Sequence, residues 1–316
     1  MVYKKYTKHK RDDLRKKVPL KDNLTLLLMG LPAIILLIAF NYVPMVWMTM
    51  AFKRYRADLG LFGSEWVGLD NFKFFFQSQD AWRVTRNTIG LNAVFIVLVL
   101  IISVTFAILL SNVAKKIWLK FYQTVFFFPY FLSWIVVAYM LFGFLNMEHG
   151  ILNTWLTKLG FEGIMWYTKA EYWPFILSLS YIWKNAGYFS LIYFAGIIGI
   201  DKTYYEAASL DGASNWQMIT KITIPLLTPV IIIVTLLQIG RIFFADFGLF
   251  YFLPRQIGIL FSTTDVIDTY VYRALRVTGE TGLATAAGLY QSVVGLILVV
   301  VANTVVRRIN KESALF

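Results

Sequence analysis

The chain has 316 residues, of which 58% are hydrophobic and only 15% are charged. Soluble domains of this length carry far more charge, so the composition implies a polytopic membrane protein with one membrane domain filling nearly the whole chain. The formal charge of +12 is therefore not read as nucleic-acid binding, and the absence of cysteine excludes disulfides, thiolate metal sites and cysteine nucleophiles.

Residues 1–23 are dominated by Lys and Arg, opposed only by Asp12, Asp13 and Asp22. They read as a solvated tail held near anionic headgroups. A secretory signal peptide fits poorly, because the apolar run that follows is too long and no small-residue cleavage site ends it. Six apolar runs follow: 24–52, 87–114, 121–147, 173–200, 224–250 and 281–306. Each exceeds the ~20 residues a helix needs to cross the hydrocarbon. The predicted fold is all-α, with six transmembrane helices in a membrane domain over 24–310 and a short C-terminus over 311–316. Pro32, Pro44 and Pro129 fall inside runs and are expected to kink them.

Basic residues in the connections orient the chain. The second connection carries Lys115, Lys116 and Lys120, and the C-terminus carries Arg307, Arg308 and Lys311. With an even number of spans, both termini, this connection and the loop at 201–226 fall on the cytoplasmic side of the plasma membrane. The first outer connection, 53–86, is also basic and weakens the signal, but the tail and the other connections outweigh it. It contains Trp66-Val67-Gly68-Leu69-Asp70-Asn71-Phe72, which on physics alone reads equally well as an interfacial aromatic belt. The third connection, 146–172, contains Trp155, Trp166, Tyr167 and Tyr172, and is expected to form a short helix on the outer face.

The long polar interval 201–229 organises the rest. Asp201 can cap a helix over 204–210, and Asp211-Gly212 breaks it, since Gly accepts the left-handed conformation of a C-terminal cap. Ser214 and Gln217 complete a capping box at the start of a second helix, which Pro225 and Pro229 are expected to end. Ala207, Ala208 and Ala213 leave room for close packing.

Much chemistry is missing. There is no Gly-x-x-x-x-Gly-Lys-Ser/Thr loop, so the chain should not bind ATP itself. Only His9 and His149 are histidines, and no zinc or nucleophile-elbow motif is present. No metal site or cofactor of its own is expected, and an energy source must come from a partner or an ion gradient.

Ionisable groups within a span are costly and face a cavity or a partner. Here they are Lys184, Arg241 and Asp246. Asp246 could simply neutralise Arg241, five residues away. Asn185 beside Gly187 fits a kinked helix, or ordinary interhelical hydrogen bonding. Asn92, Gln238 and Gln291 are further amides at depth, and Trp134, Tyr139, Tyr193 and Tyr290 supply aromatic platforms. Sugars, with flat C–H faces and hydroxyl edges, are bound by such combinations. The candidate substrate path is Trp134, Lys184, Asn185, Tyr193, Gln238, Arg241 and Asp246.

The segment Glu206-Ala207-Ala208, Gly212, Ile222 and Pro225 resembles the EAA loop of permease subunits in ATP-binding-cassette importers. Residues 128–137, 183–188 and 192–197 resemble its oligosaccharide branch, and the first outer connection resembles a stretch of sugar-importer permeases. The resemblance spans roughly 24–308. It implies a type I importer fold, in which two related permeases pair and each seats its loop in a groove of an ATPase subunit. An extracytoplasmic binding protein delivers the sugar, and ATP and Mg are used by the partners. Glu206, Ala207, Ala208, Asp211, Gly212 and Pro225 would then couple to the ATPase. The mechanism implied is alternating access, with no catalysis in this chain. Lys184 and Arg241 fit an acidic sugar such as a uronate oligomer, though the branch also handles neutral ones. The alternatives are an ion-gradient-driven transporter, for which Asp246 alone is thin, and a membrane enzyme of glycan assembly, which would need clustered acidic or histidine residues.

Overall fold

The computed structural model describes residues 20–309, so most of the basic tail and the C-terminal residues from 310 on lie outside the described residues. The chain forms two units, Met1–Met50 and Ala51–Phe316.

In the first unit, α1 (Leu20–Leu37) continues through Pro32 rather than breaking there. A π turn, Ile38–Tyr42, lies just upstream of Pro44, and 3-10 geometry follows over Val43–Phe52. Proline clashes with the carbonyl four residues back, and a widened turn relieves that clash. Leu26, Met29, Ile35 and Phe40 are all exposed, as expected of a helix that is apolar all round and solvated by lipid.

The second unit opens with an antiparallel pair, β1 (Lys53–Arg54) and β2 (Glu65–Trp66). The Trp66–Phe72 stretch is a folded corner. Trp66 and Phe72 pack on Phe52 at 5.6 and 5.4 Å. Gly68 has φ +59°, and Asn71 donates to the carbonyls of Ala51 and Lys53 at 2.9 and 3.0 Å. The helix α2 (Asp70–Gln77) follows.

The helix α3 (Gln79–Ser111) starts earlier than the apolar run, because Ser78 caps it by accepting from the Ala81 N–H. It packs along α7 (Trp173–Ile198). Phe95 stacks on Tyr181 at 4.4 Å, and Ser103 donates to the Ala186 carbonyl at 2.9 Å. Between them, α4 (Lys116–Phe127) and α5 (Trp134–Leu145) are bent by 97° across the 3-10 turn Phe128–Phe131. The predicted kink at Pro129 is thus a full break. The third connection does contain a short helix, α6 (Ile151–Lys158).

The polar interval forms α8 (Lys202–Leu210) and α9 (Asn215–Met218). Pro225 and Pro229 do not end the second helix. It runs on through a π turn, Ile219–Thr223, into α10 (Ile224–Ile239), with the widened turn again just upstream of a proline. The expected run 224–250 is corrected at its far end too: the helix stops at Ile239, and α11 (Phe247–Phe252) is separate. After the short turns Gly258–Leu260 and Phe261–Thr264, the helices α12 (Ile267–Arg276) and α13 (Thr281–Ile309) complete the unit.

Among the described residues, four helices are long and apolar enough to cross a membrane: Leu24–Phe52, Gln79–Ser111, Asn215–Ile239 and Thr281–Arg308. The bent pair α4–α5 makes a fifth if counted as one span. The 26 residues of α7 are long enough, at ~1.5 Å each, but Lys184 and Asn185 dilute its apolar character.

Candidate functional site

The break after Ile239 builds the site. Residues 240–246 leave helical geometry, so their backbone groups need partners that a helix would have supplied. Neighbouring elements provide them. Asn92 of α3 donates to the Ile242 carbonyl at 2.7 Å, and Gln291 of α13 donates to the Phe243 carbonyl at 2.6 Å. Asp268 of α12 accepts from the Ala245 N–H at 2.9 Å and from Gln291 at 3.0 Å. Burial pushes the Asp268 carboxyl above its ordinary range, against the pull of these donors. Asp246 caps α11 through the Gly248 N–H, and its other oxygen accepts from the Trp134 indole at 2.7 Å. Gly248 is needed here, since a Cβ would sit 2.4 Å from the Trp134 ring.

Asp246 therefore does not pair with Arg241. Among the described residues, the Arg241 side chain has no hydrogen-bond or ion-pair partner. It faces a cleft of about 680 Å³, lined also by Tyr130, Tyr181, Asn185, Tyr188, Gln238 and Asp246. The Gln238 amide nitrogen is buried there without a partner. A buried donor left unpaired is costly.

Three of the predicted path residues do not line this cleft. Lys184 directs its ammonium to the carbonyls of Pro129, Tyr130 and Leu132, at 3.5, 2.7 and 2.5 Å. These carbonyls lie at the break between α4 and α5, where helical partners are lost. Gly187, one turn on, permits the close approach: a Cβ there would lie 1.8 Å from the Phe126 carbonyl oxygen. Tyr193 is fully buried between α7, α3 and α10, beside Ala107 and Leu227. Trp134 acts on the cleft through Asp246. Sequence reasoning missed the Asp265 cluster altogether. Its buried carboxylate binds Arg273 at 2.6 Å, Arg83 at 3.0 Å and Thr269 at 2.9 Å, tying α3 to α12.

The second candidate region is the α8–α9 loop. Asp201 caps α8 by accepting from the Thr203 N–H at 2.9 Å, a bond that holds its carboxyl below the usual range. The other end is a complete Schellman turn. Gly212 has φ +76°, its N–H reaches the Ser209 carbonyl, and the Ala213 N–H reaches that of Ala208 at 2.9 Å. The capping box forms as the sequence predicts, with both Ser214–Gln217 bonds present, at 2.8 and 3.3 Å. Tyr205 and Thr223 share a hydrogen bond at 2.9 Å, joining α8 to the π turn. Glu206, Ala207, Asp211, Gly212 and Pro225 are exposed and Ala208 half-buried, with the bare side chains of Leu210 and Trp216 on either side of the turn.

Long apolar helices, a broken span and a polar cleft are the architecture of a helical membrane protein. Residues 100–311 match the family described as binding-protein-dependent transport system inner membrane component, and the chain belongs to that family of importer permeases. It is 34% identical to the polygalacturonan/rhamnogalacturonan transport system permease protein YteP of Bacillus subtilis, over 91% of this chain and 89% of that one. Protein LplB of the same organism is 32% identical, over 93% and 92%. A chain of the bacterial alginate ABC transporter, solved in complex with an alginate pentasaccharide-bound periplasmic protein, superposes with TM-score 0.84 at 34% identity, covering 92% of this chain and 97% of its own. The protein is thus a permease of an ATP-binding-cassette importer, and no relative supports the ion-gradient alternative.

Proposed function

We propose that this permease forms half of the path for an oligosaccharide, and that an acidic oligomer such as a pectin or alginate fragment is its substrate. The observation that carries this reading is the cleft, where tyrosine rings and amides surround an arginine that forms no ion pair among the described residues. Flat rings suit sugar C–H faces, amides suit hydroxyls, and a free guanidinium suits a carboxylate. The names of YteP and the alginate transporter, both acting on acidic polysaccharides, support the same class.

In this reading α7 and the α4–α5 pair also cross, giving six spans, with both termini and the α8–α9 loop in the cytoplasm. A second permease pairs with this one. Two ATPase subunits, which bind ATP and Mg, receive the loops at Glu206, Ala207, Ala208, Asp211 and Gly212, while Pro225 fixes the exit of the loop into α10. A binding protein delivers sugar on the other side. ATPase closure draws the loops together, and the spans rock to expose the cleft outward. Arg241, Asn185 and Gln238 contact the sugar, Asp246 and Trp134 shape the wall, Lys184 holds the broken α4–α5 pair in place, and Tyr193 supports α7.

The test is uptake by the assembled complex in vesicles. Arg241→Met should weaken import of a charged oligomer at least tenfold more than that of a neutral one of equal length, since it removes a charge-assisted bond. Equal losses for both would assign Arg241 a structural role and remove the basis for an acidic substrate.

A further inference from the structure

At the end of α7 remote from the α8–α9 loop, Arg255 and Gln256 take the left-handed backbone conformation in succession, with φ 56° and 53°. They are the only non-glycine residues with positive φ among the described residues. Side chains rarely tolerate this region, and such outliers concentrate where a ligand is gripped. The conformation aims Arg255 across the ring of Phe142, with the guanidinium carbon 4.3 Å from the centroid. Among the described residues, the side chain of Arg255 has no hydrogen bond or ion pair.

Arg255 and Phe142 are shared by two adjoining clefts, of about 300 and 260 Å³. One adds Tyr139 and Gln256, the other Trp166 and Tyr167. Neither is lined by an aspartate or glutamate. The Tyr167 ring lines the second cleft, and its hydroxyl is buried behind it with no hydrogen-bond partner. Burial pushes its phenol up to about 12, so it stays a neutral donor at physiological pH, and Arg255 acts on it electrostatically. The 26 residues of α7 separate this end from the α8–α9 loop by about 39 Å. The cleft lined by Arg241 lacks Arg255, Tyr139, Trp166 and Tyr167, so the two sites are distinct.

We infer that Arg255, Phe142, Tyr139, Trp166 and Tyr167 form a second saccharide subsite, at the mouth remote from the loop, whose guanidinium selects a uronate carboxylate. The aromatic rings take the C–H faces of successive sugars and the guanidinium pairs with the carboxylate. This site meets an arriving chain before the deeper cleft does, so it sorts by charge at entry. The inference rests on the oligosaccharide reading above.

The strained backbone supplies an unusual control. Glycine is at ease at φ 56°, so Arg255→Gly removes the guanidinium while relieving strain. The probes are tetragalacturonate and its methyl ester, which share one sugar backbone and differ in the charge and the O-methyl of each carboxyl, titrated against the complete transporter in lipid nanodiscs. Wild type should prefer the acid. Arg255→Gly should weaken acid binding roughly tenfold, with ester affinity and thermal midpoint unchanged or the midpoint raised. Tyr139→Ala, which removes an exposed ring of the site, should weaken both probes. The same loss from Arg255→Gly in an Arg241→Met background separates the two arginines. The inference is overturned if wild type does not distinguish the probes, or if Arg255→Gly keeps the preference. Either result leaves import of oligosaccharide standing, whereas a complex that imports no oligosaccharide at all would remove the broader reading as well.

Discussion

The α8–α9 loop and the 240–246 break are both departures from regular helix, yet they are held in opposite ways. The loop is closed by its own neighbours: the bonds at Asp201, Gly212 and Ser214 reach no further than five residues along the chain. The break is held by residues remote in sequence, with Asn92 150 positions from Ile242 and Trp134 112 positions from Asp246. A segment with local bonds keeps its shape when moved as a rigid piece. A segment tied to four other helices changes when those helices shift. The first suits a mechanical joint, and the second suits the alternating cleft of the proposed cycle.

This contrast can be broken by mutation. The largest effect should come from Gln291→Leu, which leaves the Phe243 carbonyl and one Asp268 bond unpaired in a buried place. A loss of about 3 kcal/mol is expected, measured by denaturant unfolding of the purified protein in detergent. Ser214→Ala removes one capping-box bond and should cost about 1 kcal/mol in the same assay, because the damage stays within one turn. Tyr205→Phe should cost no more than about 1 kcal/mol, but it frees α8 from the π turn and should lower transport per ATP hydrolysed. An unchanged transport-to-hydrolysis ratio would mean that this bond does not transmit the motion.

The smallest effect is on pH dependence. The folded pKa of Asp268 is raised, so between its unfolded and folded values the native state binds more protons than the unfolded chain. Its contribution to stability is fully present below the ordinary carboxylate pKa and falls as pH rises through the folded value. Asp268→Asn keeps an acceptor oxygen for Ala245 and Gln291 and should flatten that decline. A slope as steep as wild type would assign it to another group.

The same contrast explains what the sequence could disclose. The Asp201 cap, the Gly212 break and the Ser214–Gln217 box are written in residues three or fewer apart from the groups they satisfy, or in a glycine at its own turn. They were legible from spacing. The end of α10 was not, because Arg241 to Asp246 continue an apolar run, and only distant side chains make leaving the helix affordable. Gly240 and the Asp246-x-Gly248 cap were the local hints. The π turns ahead of Pro44 and Pro225 were hidden likewise, since a proline announces a disturbance without saying whether the helix ends or widens. Lys184 reads as a candidate ligand contact from its depth and charge, whereas the three carbonyls it meets lie 52 to 55 positions away. The Asp265 cluster spans 182 positions from Arg83 and left no mark in any window.

The central claim is that the α8–α9 loop carries the ATPase stroke to the cleft, and substrate-stimulated ATP hydrolysis by the assembled complex bearing Gly212→Trp tests it most directly. Apart from its two chain neighbours, no atom of the described residues lies within 4 Å of where a Cβ at Gly212 would stand, so the bulk projects outward at a strained turn. Stimulated hydrolysis should fall to the unstimulated level in a complex still containing a folded permease. Stimulation at the wild-type level would contradict the claim.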